Sequence, residues 1–134
     1  LLKYANRFYE RQFINRKDFS HDLLEQLNNY LEKYYRAGQF QEQGIPSIEH
    51  LAEQLSVTQR YLSDTLKKET GKSTTEHLQL YLIDTAKNLL LKPESSISDV
   101  AYELGFEYPQ YFSRLFKKKE GISPKDYLEK FKMN

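Results

Sequence analysis

Between residues 20 and 36, Leu23, Leu27, Tyr30, Leu31 and Tyr34 fall at i, i+4, i+7, i+8 and i+11. That spacing makes one apolar stripe on a 3.6-residue helix and predicts an amphipathic helix over Ser20–Arg36. "AGQFQEQGIP" then reads as a loop. A short helix is expected over Ser47–Leu55 with Ser47 as its N-cap, and another over Thr58–Glu69 that stops at Gly71. "STTE" at Ser73–Glu76 has the capping-box form, and Leu78, Leu82, Ala86, Leu89 and Leu90 continue one apolar face up to Pro93. Helices over Ser96–Leu104 and Tyr108–Lys119 follow. "SPKDYL" opens the last, with Ser123 as cap and Pro124 in the first turn. No alternating β-branched run ends in a hairpin turn, so the pattern predicts an all-α chain.

The pattern also repeats. Ile48, Leu51, Ala52 and Leu55 recur as Ile97, Val100, Ala101 and Leu104 at an offset of 49 residues. Beyond the turn the offset becomes 50, and Tyr61, Leu62, Ser63, Leu66, Lys67, Lys68, Gly71, Ser73 and Leu78 recur as Tyr111, Phe112, Ser113, Phe116, Lys117, Lys118, Gly121, Ser123 and Leu128. So many matches in phase identify a tandem duplication. Each copy is a short helix, a tight turn and a second helix. Ala52 and Ala101 are small where two steeply crossing helices must approach. Gly105 stands in the turn, where positive φ is free only for glycine, and its counterpart Ser56 tolerates that conformation less well. Leu55, Val57 and Leu62, like Leu104, Phe106 and Phe112, are expected to fill the wedge between the helices. This is the helix-turn-helix pattern, whose second helix enters a DNA major groove. An ordinary helical hairpin packed only for stability is the alternative for a single copy; two matching copies favour DNA. The helix over Thr75–Leu91 would be about 25 Å long. With its connections it could hold two such helices about 34 Å apart, one turn of DNA.

Composition narrows the classes. The 134 residues are 39% hydrophobic and 29% charged, enough for one compact core. Mean hydropathy is -0.78, and no apolar run approaches the roughly 20 residues of a membrane span. No signal peptide is evident, and a first residue of Leu1 suggests a piece of a longer chain. The absence of cysteine rules out disulfides, thiolate zinc sites and thiol nucleophiles, and fits a reducing cytoplasm. The net charge of +1 is not the basic footprint usual for nucleic-acid binding, so that function must rest on local arrangement. His21, His50 and His77 lie on different expected helices without a carboxylate motif. They read as surface or capping residues rather than as a metal or catalytic cluster. There is no phosphate loop and no nucleophile elbow, so no enzyme and no cofactor is expected.

"SDVAYELGFEYPQYFSRLFKKKEGISPKDYL" resembles the signature of the AraC/XylS-family transcription regulators, with its "GF", "YFSRLFKK" and "G-x-S-P-x-x-Y" all present. The likeness covers residues 20–133. It implies seven helices in two helix-turn-helix subdomains joined by a long central helix. The implied organisation is 20–73, a linking helix over 74–92, and 93–134. Residues 1–19, with "YANRFYERQF", look like the trailing end of a missing sensor or dimerisation domain. By the same resemblance the base-facing positions are Arg60, Ser63 and Asp64 on the first recognition helix, and Gln110, Tyr111 and Arg114 on the second. Arginine pairs with guanine, glutamine with adenine, and tyrosine packs on a thymine methyl. Asp64 departs from the commoner basic or neutral residue. It is i+4 from Arg60 and either aims that guanidinium, accepts from cytosine, or forms a plain solvated ion pair. Lys67, Lys68, Lys117, Lys118 and Lys119 trail the two helices and either meet phosphates or form a solvated face. Ser47, Ser96, Thr58 and Tyr108, at helix starts, join the phosphate-facing set. The implied function is sequence-specific binding of double-stranded promoter DNA by a bacterial regulator, an activator by analogy, in the cytoplasm at the nucleoid and in contact with RNA polymerase. A helical protein-interaction module without DNA binding is the alternative; the resemblance implies that the Ser20–Arg36 helix packs on the first subdomain, and Tyr30, Tyr34 or Tyr35, where exposed, would contact the missing N-terminal part or a second copy.

Overall fold

The computed structural model describes residues 16–131, with side chains from residue 22 onward, so the expectation for Leu1–Phe19 falls almost wholly outside them. The described residues form eight helices and no strand. They are α1 (Arg16–Arg36), α2 (Phe40–Gln43), α3 (Ile48–Gln54), α4 (Gln59–Thr70), α5 (Thr74–Leu90), α6 (Ile97–Glu103), α7 (Pro109–Glu120) and α8 (Pro124–Phe131). The expected boundaries from α3 onward agree within about a residue or two. Helix α1 starts four residues before Ser20, because "RKDF" contains no helix breaker. The expected loop carries the one-turn α2, so there are eight helices where the resemblance implied seven. Gly38 and Gly44 bracket that turn at φ 77° and 69°, and Phe40 stacks on Tyr35 with centroids 5.7 Å apart.

Local chemistry holds the helix ends. Ser47, Thr58, Ser73, Ser96 and Ser123 each accept from a backbone N–H three residues on. Glu76 answers Ser73 in a complete capping box. That backbone hydrogen bond from Ser73 holds the Glu76 carboxyl below its ordinary pKa against some desolvation, helped by the Ser73 hydroxyl and the charges of Lys119 and Lys67. Gly71 and Gly121 close α4 and α7 in the left-handed conformation.

One apolar core runs through the whole fold. Leu23, Leu27, Leu31 and Tyr34 are its contribution from α1, which lies against α4. Burial of each such leucine contributes about 1.5–3 kcal/mol relative to leaving it exposed. Helix α5 is the spine: Leu78, Leu82, Ile83, Ala86 and Leu90 are buried, and it touches α4, α6 and α7. Ala52 and Ala101 are buried at the crossings of the two helix-turn-helix pairs, as their small size requires.

The tyrosines of α1 are built into the structure rather than displayed. Tyr34 is buried and donates to the Gly44 carbonyl at 2.6 Å. Tyr30 is half-buried and bonds His50 Nε2 at 2.5 Å. Tyr35 is half-buried and donates to the Leu104 carbonyl at 2.8 Å. Burial, then the neighbouring Tyr34 and Tyr81, push the Tyr35 hydroxyl far above the ordinary phenol range, so it remains a donor. Helix α1 thus packs on the first subdomain as expected, and its tyrosines are largely consumed within the chain.

Candidate nucleic-acid interface

Helices α4 and α7 present matching faces. The alternation of buried, half-buried and exposed positions over residues 61–70 recurs residue for residue over 111–120. Leu62 and Leu66 anchor α4, and Phe112 and Phe116 anchor α7, all fully buried. A helix held by i and i+4 side chains must turn its opposite face outward. Arg60, Asp64, Lys67 and Lys68 are exposed on α4, and Gln110, Arg114, Lys117 and Lys118 on α7. Tyr61 and Tyr111, at the same register, are 43% and 50% exposed.

The two arginines are oriented differently. Arg60 Nε stands 3.6 Å from Asp64 Oδ2, with both side chains largely in solvent. This is the i, i+4 pairing read from the spacing. Such an exposed pair adds little stability, but it occupies the Nε side and leaves the terminal Nη edge free. Arg114 instead lies over the Tyr111 ring, 5.8 Å from its centroid. Tyr108 meets Tyr111 edge-on at 5.5 Å. Tyr108, Tyr111 and Arg114 thus form a contiguous row at the start of α7; the first copy has Thr58 at the Tyr108 position and Asp64 at the Arg114 position.

The remaining expected residues are less uniform. Ser63 is half-buried, and its hydroxyl lies 3.2 Å from Thr74 Oγ1, a group 1% exposed at the start of α5. Ser63 therefore joins α4 to the start of α5. Lys119 is half-buried, unlike Lys117 and Lys118. The hydroxyls of Ser47 and Ser96 already cap their helices, and Glu49 and Asp99 place carboxylates in the same first turns. Those two N-termini are thus partly satisfied from within the chain.

The histidines are not simple surface residues. His50 is half-buried and bonds Tyr30, while His77 Nε2 sits 2.8 Å from Thr70 Oγ1. Burial, then Lys72, lowers the His77 pKa, which keeps its ring neutral as an interhelical bridge. The His21 side chain lies outside the described residues. Among the described residues no group of three His, Asp or Glu could hold a metal ion, and no helix is long and apolar enough to cross a membrane. Sequence reasoning missed the Ser63–Thr74 bond, the Arg114–Tyr111 stack and the role of Tyr35. Only the second had a signal, an aromatic and an arginine at i, i+3.

The chain is similar to known proteins in sequence and fold. A family described as a helix-turn-helix domain matches residues 51–130. The chain is 36% identical over 75 residues to the HTH-type transcriptional activator RhaR of Yersinia pseudotuberculosis, a stretch that is 56% of this chain and 26% of that protein. It is similar in structure to the C-terminal domain of AraT, a response regulator from Geobacillus stearothermophilus. That match has a TM-score of 0.68 and 30% identity, covering 81% of this chain and 84% of that one. The fold also matches the DNA-binding domain of AdpA, a global transcriptional factor solved in complex with a target DNA. There the TM-score is 0.68 and the identity 22%, over 83% of this chain and 93% of that one. The matching stretch spans only 11% to 26% of the length of such curated relatives.

Proposed function

This chain belongs to the AraC/XylS family of helix-turn-helix DNA-binding domains of transcription regulators, and from that premise we propose that it reads promoter DNA with α4 in one major groove and α7 in the next. The observation that carries this reading is the duplicated exposure pattern, with an outward arginine on each recognition helix. Arg60, kept in place by Asp64, offers its Nη edge to guanine O6 and N7, and Arg114 does so from its seat on Tyr111. Gln110 suits adenine, and Tyr111 suits a thymine methyl. Ser63, already engaged with Thr74, contributes mainly by fixing the depth of α4. Lys67, Lys68, Lys117, Lys118 and Lys119, with Ser47, Thr58, Ser96 and Tyr108, take the phosphate side. The activator name of the RhaR relative supports activation, hence a contact with RNA polymerase. The small share of its relatives that this chain spans supports a separate sensing or dimerising part, all within the bacterial cytoplasm at the nucleoid.

The test starts from duplexes selected by the parent chain out of a random pool. Arg114→Ala is expected to weaken binding to a selected site by about 1–3 kcal/mol, on the order of 5- to 150-fold, while binding to unrelated DNA changes little. An equal loss on every sequence would make Arg114 a phosphate contact. A parent chain that shifts no duplex would overturn the DNA reading and leave a protein-binding module. With a net charge of only +1, affinity rests on the local lysines. It should therefore fall at least about a hundredfold between about 50 and 300 mM salt. Equal affinity at both ends would remove the phosphate roles.

A further inference from the structure

The two copies differ at one telling position. Ser56 and Gly105 occupy the same place in their turns, and both have positive φ, 60° and 95°. The first copy manages with serine because its turn is exposed. The second cannot, for a reason outside the turn. A Cβ on Gly105 would stand 2.8 Å from both the Gly44 carbonyl carbon and the Ile45 nitrogen. The loop that follows α1 and α2 in the first half thus rests on the turn of the second half, backbone against backbone. Next to this contact, Tyr35 of α1 donates to the Leu104 carbonyl. That carbonyl caps α6 and has no partner within its helix. The Tyr35 ring stacks on Phe40 and on Tyr81 of α5, with centroids 5.7 and 6.0 Å away, and Tyr34 ties down the Gly44 carbonyl.

The geometry points to Tyr35, with Gly44 and Gly105, as a clamp that sets the roll of the second recognition helix relative to the first, and so the spacing of half-sites the chain accepts. The mechanical reason is simple. Both helix-turn-helix pairs pack on α5, and two bodies on one rod can still roll about its axis. The covalent link between α5 and α6 is a short turn whose residues 91–94 are exposed, so it packs on neither pair. A second point of attachment, off the rod's axis, removes that freedom. In α1 this attachment comes from a residue 69 positions away from its partner. One base pair of extra spacing moves a half-site by about 3.4 Å and about a tenth of a turn. A clamped pair of helices therefore discriminates between spacings, because the second contact has a high effective concentration at one of them only. Tyr35 and Gly44 touch no DNA in this scheme; they are positioning residues. The functional consequence rests on the DNA reading above, whereas the clamp itself does not.

Two measurements separate these levels. The chain has no cysteine, so Lys68→Cys and Lys118→Cys place one spin label at the end of each recognition helix. The label distance should be narrowly distributed in the doubly labelled parent. It should broaden with Tyr35→Phe, which removes only the hydroxyl. Gly44→Ala, whose Cβ would sit 3.3 Å from the Gly105 carbonyl oxygen, should broaden or shift it. Unchanged distributions in both variants would overturn the clamp, with or without DNA. On pool-selected duplexes, one inserted base pair between half-sites should weaken the parent about tenfold or more, but either variant about threefold or less. Affinity for an isolated half-site should stay within about twofold, since each recognition helix is untouched. Equal spacing penalties in parent and variants would refute the positioning role while leaving the DNA reading standing. A parent that binds no duplex would end the DNA reading, and the label distances would still decide the clamp.

Discussion

Gly105→Ala is expected to lower the stability of the folded chain by about 3 kcal/mol, with two independent sources. A φ of 95° places an alanine in backbone space that L-residues avoid, at a cost of about 1–3 kcal/mol. The added Cβ would then meet Gly44 and Ile45 backbone atoms at 2.8 Å. Backbone cannot swing aside as a long side chain can, and overpacking of this kind costs about another 1–3 kcal/mol. The matched control is Ser56→Gly in the first copy. There φ is 60° and the residue is exposed, so relief of strain against added chain entropy should yield a gain of about 0.5 kcal/mol. Urea titrations of the three proteins provide the comparison. If Gly105→Ala lies within 1 kcal/mol of the parent, the loop does not bear on the turn as described.

Phe112→Ala should be the most damaging truncation on α7. The ring is completely buried, 5.5 Å from Phe106 and 5.8 Å from Phe116. It is the wedge that seats the recognition helix on α6. Its loss removes both transfer energy and packing partners, at about 3–5 kcal/mol. The equivalent Leu62→Ala in the first copy, also fully buried, should cost about 2–5 kcal/mol. DNA affinity should fall with Phe112→Ala even where the chain remains folded, because Arg114 then loses a fixed seat. Amide exchange along α7 should accelerate more than along α4. A loss below about 1.5 kcal/mol, or faster exchange confined to α4, would show that the aromatic wedge does not carry α7.

These two outcomes touch different kinds of information. Leu62 and Phe112 were legible as wedge residues of the duplicated pattern, with Leu66 and Phe116 as matched apolar positions four residues on. The outward place of Arg60 and Arg114 came from the family resemblance, whereas the Arg60–Asp64 pair followed from a separation of four residues on one helix. The caps at Ser47, Thr58, Ser73, Ser96 and Ser123 were equally local, each a bond across three residues. Gly105 was legible only in part: its turn explained the positive φ, but not why serine suffices at position 56. His50 and His77 read from the sequence as surface or capping groups, because nothing near them in the chain shows that Tyr30 or Thr70 faces them. The tyrosines of α1 raised the question of what covers them, and periodicity held no answer.

The sequence by itself determined the helices from α3 onward, their caps and the duplication, since all of these depend on residues within a turn or two of one another or on the comparison of two copies. Tertiary structure alone decided that Gly44 lies on Gly105, that Tyr35 closes the end of α6, and that Ser63 is tied to Thr74. Such contacts join loops and helix ends with no period of their own. Their partners become neighbours only after the spine and the two wedges have folded, so no local pattern of side chains encodes them.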